Sequence, residues 1–149
     1  RSGWNDNRLA FSLFVQGRLT LSSDPDLALA SFLQSGTIYA ASADTQLHAA
    51  HVAMQLAAFA LSAGDTQAAI GIVNQHAPIV ERAENAALLS TLLMVKAEAL
   101  DQSDRAAEAR VVRDEALGWA RYGFGDDRSV RDRLSEIAAL SQRRGRVPL

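Results

Sequence analysis

The stretch Leu61-Ser62-Ala63-Gly64-Asp65-Thr66-Gln67-Ala68-Ala69 decides how this chain folds. Apolar, helix-forming sequence lies on both sides of it, and its centre is a two-residue turn signal. Gly64 suits the left-handed conformation just past a helix C-terminus, because it has no Cβ to clash there. Asp65 suits the N-cap of the next helix, where its carboxylate accepts a hydrogen bond from a free backbone N–H. The same order of features recurs at Leu21-Ser22-Ser23-Asp24-Pro25-Asp26-Leu27-Ala28 and at Leu100-Asp101-Gln102-Ser103-Asp104-Arg105-Ala106-Ala107-Glu108-Ala109. The copies stand about 40 residues apart, within the range of helical-repeat periods. The pattern predicts an all-α fold: three antiparallel helical hairpins over residues 7–43, 45–84 and 85–122, then a capping helix over 128–141 and a frayed tail over 142–149.

Composition agrees with helices. Ala and Leu dominate the apolar residues, aromatics make up only 6%, and there are three prolines among 149 residues. Ala and Leu lead the helix-propensity ranking, whereas β-branched residues favour strands. The formal net charge of −2 argues against duplex nucleic acid as a partner. The chain lacks cysteine, which removes disulfides, thiol nucleophiles and thiolate metal sites together. No apolar run approaches the roughly 20 residues of a membrane span. Lys96 is the only lysine beside many arginines and alanines, the signature of a GC-rich bacterial gene. The chain begins at Arg1 rather than methionine, which points to a segment trimmed upstream and leaves cytoplasm and periplasm both open.

Helical spacing of apolar residues predicts seven helices. The first spans about residues 7–21, with Leu9, Phe11, Leu13 and Phe14 on a wide apolar stripe. Asp24 caps the second and Pro25 opens it, with Leu29, Phe32, Leu33 and Ala40 inward. Asp44 or Thr45 caps the third, and Asp65 the fourth. Pro78 disfavours helical conformation at Ala77, so the fourth is expected to end or kink there. Asn85 starts the fifth, Ser103 or Asp104 the sixth. A glycine-bounded break over 122–127 leads to a charged seventh helix with Arg128, Arg131, Asp132, Arg133 and Glu136, suited to close a stack with a polar outer face.

This pattern resembles the tetratricopeptide repeat. The second copy matches best, with Gly64 and Asp65 at the turn and Ala69 at the small position. Val73 stands where that family usually has an aromatic, and His76 where it has Ala. In the first copy Ala28 and Phe32 match, followed by Ser35; in the third, Asp104 to Ala109 and Ala116 resemble a degenerate form. The period exceeds the family's usual 34. The resemblance implies a right-handed superhelical stack whose groove, lined by the first helix of each hairpin, binds a peptide or protein.

Four features invite chemistry. Asp44, His48 and His51 fall on one helical face, where two imidazoles and a carboxylate suit a metal. With no fourth ligand or His-Glu-x-x-His pattern, an exposed His48 and a half-buried, hydrogen-bonded His51 are the simpler expectation. Trp119, Tyr122 and Phe124 form the densest aromatic cluster, with residue types common in binding hot spots. Their place at a predicted bend, with Gly123 and Gly125, favours a packing role. Residues 34–80 contain no Lys or Arg, so a groove over the central hairpin suits an apolar or basic peptide, although burial between neighbours explains this equally simply. Arg143, Arg144 and Arg146 make a basic tail that reads as a solvated terminus.

No phosphate loop, nucleophile elbow or His-carboxylate motif is present. The sequence therefore points to a non-enzymatic interaction scaffold or adaptor without cofactor, binding a protein or peptide through Gln16, His48, Gln55, Ser90 and Lys96, with Trp119, Tyr122 and Phe124 at the hairpin end. The alternatives are a regulatory or self-associating domain of a larger protein, and, more remotely, a helical metal protein or enzyme using His48 and His51.

Overall fold

The structure is a computed structural model that describes residues 3–141, with side chains over 5–140. The basic tail lies outside the described residues. Seven α-helices follow one another with no strand among the described residues: α1 Gly3–Thr20, α2 Pro25–Ala40, α3 Gln46–Ser62, α4 Thr66–Arg82, α5 Ala86–Gln102, α6 Ala106–Phe124 and α7 Asp127–Ser141. A short 3-10 turn, Ala43–Thr45, precedes α3. None of these helices is long and apolar enough to cross a membrane.

The turns are built alike. Gly64, Glu84 and Asp104 each take a positive φ, at 81°, 56° and 58°. After each, the next residue donates its N–H to the carbonyl five positions back: Asp65 to Ala60, Asn85 to Val80, Arg105 to Leu100. That bond satisfies a carbonyl orphaned at the helix end and reverses the chain. The turn therefore recurs every 20 residues through the middle of the chain, twice as often as the repeat visible in sequence. Asp24, Asp65 and Asn85 cap the following helices by accepting from Leu27 N, Ala68 N and Leu88 N, each at 3.1 Å.

Several boundaries differ from expectation. The first helix starts four residues earlier than residue 7, and the second stops at Ala40 because the 3-10 turn intervenes. Thr45 occupies the N-cap of α3 without capping by side chain; its hydroxyl donates to the Tyr39 carbonyl instead. The N-cap of α6 is Arg105, not Ser103 or Asp104. Ser103 donates to the Ala99 carbonyl, and Asp104 is consumed by the left-handed turn. Arg105 instead forms a two-pronged pair with Glu108 in the first turn, at 3.0 and 2.7 Å. The fourth helix runs through Pro78 to Arg82. Pro78 and Asn74, whose carbonyl loses its helical donor, both face solvent, while Val73 and Val80 are fully buried and hold the helix on either side. The break before α7 is shorter than expected, with Gly125 at φ 78° and Asp126 capping Ser129 N.

Consecutive helices pack as antiparallel neighbours, and α3, α5 and α7 also pack on one another, whereas α1 and α3 share no extended contact. Two apolar clusters result. The smaller joins α1, α2 and one face of α3 around Phe32, whose ring meets Phe14 at 5.8 Å and Phe59 at 6.1 Å. Gly17 makes room for it: a Cβ there would lie 2.6 Å from the Phe32 ring. The Ser35 hydroxyl adds a 2.7 Å bond to the Ala10 carbonyl, drawing α2 onto α1. Burying a phenylalanine stabilises by about 2–3 kcal/mol. The larger cluster centres on α5, with Leu92, Val95 and Leu100 nearly inaccessible, and is closed by Val130 and Ile137 of α7. Charged Arg131, Asp132 and Glu136 face outward from α7. Leu9, Phe11 and Leu33, expected in the core, are at least half exposed.

Candidate functional site

The side of the molecule bordered by α1, α3, α5 and α7 carries three hollows that share walls. Phe11, Phe14 and Arg18 recur at i, i+3 and i+7, so α1 aims them as one stripe. They face His48, His51 and Val52 of α3 across a hollow of about 240 Å³. This hollow occupies the gap where α1 and α3 fail to pack. A larger hollow of about 550 Å³ continues it toward Asn7, Arg8 and Thr45, through the shared walls Phe11, Tyr39 and His48. At its other end His51 is also a wall of a third hollow, about 180 Å³, lined by Met54, Leu88, Thr91, Phe124 and Arg133. Shared wall residues link the three in a row from α1 over α3 to α7.

Local contacts hold the lining side chains in place. The His48 ring stacks on Tyr39 with centroids 5.1 Å apart and planes 28° from parallel. Tyr39 is buried, and that burial pushes its hydroxyl pKa up. The Arg18 guanidinium lies over the Phe14 ring at 6.0 Å and that of Arg133 over Phe124 at 5.5 Å, both within cation–π range. Arg133 also pairs with Glu136 at 3.1 Å. His51 is held below the usual histidine range, chiefly by desolvation and secondarily by the neighbouring His48. Among the described residues that line the three hollows there is no carboxylate.

The expected site residues scatter. His48 and His51 share a wall, as their spacing requires, and Phe124 joins the groove from the end of α6. His51 stands open at the groove wall yet is partly buried, as its desolvation shows. No three His, Asp or Glu side chains converge among the described residues, so Asp44 does not complete a metal site with the two histidines. Gln16 accepts from Ser31 at 3.2 Å and faces α2. Gln55 lines none of the three hollows. Ser90, expected on the surface, is fully buried and donates to the Ala87 carbonyl, because α5 is enclosed on nearly every side. Lys96 bonds Asn74 Oδ1 at 2.7 Å and lines a separate hollow beside Pro78 and Glu115. The aromatic cluster divides: Trp119 and Phe124 pack against the larger core, while Tyr122 is 86% exposed. Gly123 serves close approach rather than bending, since a Cβ there would sit 2.4 Å from the Ala87 nitrogen.

Phe11, Phe14, Arg18 and Arg133 were not among the expected site residues. The stripe on α1 was present in the sequence as a spacing, but nothing local shows that it faces His48. No family model, curated protein or solved structure matches this chain.

Proposed function

We propose that the protein is a non-enzymatic interaction scaffold, a tetratricopeptide-like stack of helical hairpins that binds a peptide or protein segment in the groove between α1, α3 and α7. Three features support the stack. The left-handed turns at 64, 84 and 104 are evenly spaced. Ala28, Ala69 and Ala109, each four residues after an N-cap, are completely buried, as close helix packing requires. The odd-numbered helices α3, α5 and α7 pack together, while α2, α4 and α6 share no extended contact with one another.

The observation that carries the binding proposal is the row of three hollows on one side, linked by the shared walls Phe11, Tyr39, His48 and His51. Phe11 is 60% exposed there, a large apolar ring held open at the groove wall. Exposed aromatics flanked by polar groups are typical of recognition surfaces.

The test is a selection of hexapeptides on the full chain from an unbiased library, followed by two exposed-residue variants. Phe11→Ser is expected to abolish capture of the selected peptides, and Tyr122→Ser, outside the groove, to leave it intact. Equal loss in both variants, or no peptide selected at all, contradicts groove binding.

A further inference from the structure

We infer that the groove takes an acidic peptide segment of at least about six residues that carries aromatic or leucine side chains between its carboxylates. This rests on the groove proposed above and specifies its occupant. Packed helices such as α3 and α7 lie about 8–10 Å apart, and α1 stands at least that far from α3 across the first hollow, so a path from α1 past α3 to α7 covers no less than about 20 Å. An extended chain advances about 3.3 Å per residue, which sets the shortest occupant at about six residues.

The charge follows from the walls. Arg18 and Arg133 line the groove together with His48 and His51; the Glu136 carboxylate, which pairs with Arg133 at 3.1 Å, stands outside the lining, and no carboxylate lines the groove among the described residues. The chain as a whole is nonetheless acidic, at −2. Its positive lining is thus a local concentration against the net charge, which selects an anionic partner and repels a basic one. Residues 34–80, free of Lys and Arg, pointed to an apolar or basic peptide; the arginines of α1 and α7 at the two ends of the groove reverse that expectation.

The apolar requirement follows from how the arginines are held. Arg18 lies over Phe14 and Arg133 over Phe124, so each places a guanidinium against an aromatic face. A ligand that satisfies both groups presents a carboxylate next to an apolar side chain at each end. Val52, Met54 and Leu88 line the path between them. A nucleic-acid strand of that length fits less well, because its regularly spaced phosphates each call for a cation and the groove offers few. The groups facing His51 are Arg18, Tyr39 and His48 in one hollow and Arg133 in the other. With no acid among them, an arriving carboxylate favours the charged imidazole, and binding tightens as pH falls below neutral.

The hexapeptides selected on the full chain are the test, read by sequence and then by fluorescence anisotropy. Enrichment in Asp and Glu alongside Phe, Trp or Leu is expected. Binding of the enriched peptide should weaken on the order of tenfold in the Arg18→Glu, Arg133→Glu double variant, with its thermal melt showing that it stays folded. Neutral or Lys-rich selected sequences, tighter binding of a single-stranded DNA hexamer, or unchanged affinity in the double variant would each overturn the inference while leaving a groove that binds something else. Selection of no peptide overturns the groove itself.

Discussion

Gly118 and Gly123 lie five residues apart in α6, and the same substitution at each should have opposite effects. Alanine in a helix interior is favoured over glycine by about 1 kcal/mol. At Gly118 a new Cβ meets nothing within 4 Å, so Gly118→Ala keeps that whole gain. At Gly123 the new Cβ would lie 2.4 Å from Ala87 N, 2.5 Å from Ala87 Cα and 2.8 Å from Ala86 C. These are backbone atoms in the first turn of α5, whose N-terminus is anchored by the Asn85 cap, so no side chain can swing aside. Overpacking costs about 1–3 kcal/mol, and rigid neighbours place this case near 3. Set against the helix-propensity gain, Gly123→Ala should lose about 2 kcal/mol. For a chain of this size 1 kcal/mol moves Tm by about 2–4 °C, so Gly123→Ala should fall by about 4–8 °C and Gly118→Ala rise by about 2–4 °C. Paired thermal and urea unfolding followed by circular dichroism reads both. A Gly123→Ala protein as stable as Gly118→Ala would show that α6 does not rest directly on the start of α5.

Replacing Pro78 by Ala restores the missing N–H opposite the Asn74 carbonyl and should stabilise by up to about 3 kcal/mol, measured by urea unfolding. Gly64 shows which residue the left-handed turn prefers, so Glu84→Gly should raise Tm, and by more than Asp104→Gly, because Asp tolerates that conformation better than Glu. His51 and His76 are both held below the usual histidine range, with burial the leading cause. The unfolded chain therefore binds more protons as pH drops through about 6.5, and stability should fall with pH across that window, as unfolding titrations at neutral and mildly acidic pH can check.

Local chemistry was legible from sequence wherever a side chain bonds its own turn. Asp24, Asp65 and Asn85 each satisfy an N–H three residues on, a contact that depends on nothing distant. Where packing or backbone geometry sets the boundary, the sequence is silent. The turns at Gly64 and Asp104 fall in copies of the repeated unit, but Glu84 adopts a conformation that its residue type does not advertise, so that turn stayed hidden and the period read as 40 instead of 20. Pro78 broke a local rule that buried Val73 and Val80 override. The site divided in the same way. His48 and His51 follow from a spacing of three, but their meeting with Arg18 and Arg133 depends on how α1 and α7 dock. Ser90 was misplaced because α5 is apolar on almost every face, leaving no phase from which to choose its exposed side.

The most direct test of groove binding is an amide-shift titration of the isotope-labelled protein with the selected acidic hexapeptide. Shifts should gather at Phe11, His48, His51, Thr91, Phe124 and Arg133, the walls of the joined hollows. Shifts gathered instead at Asn74 and Lys96, or at Leu33 and Thr37, would place the partner in a different hollow and contradict the account.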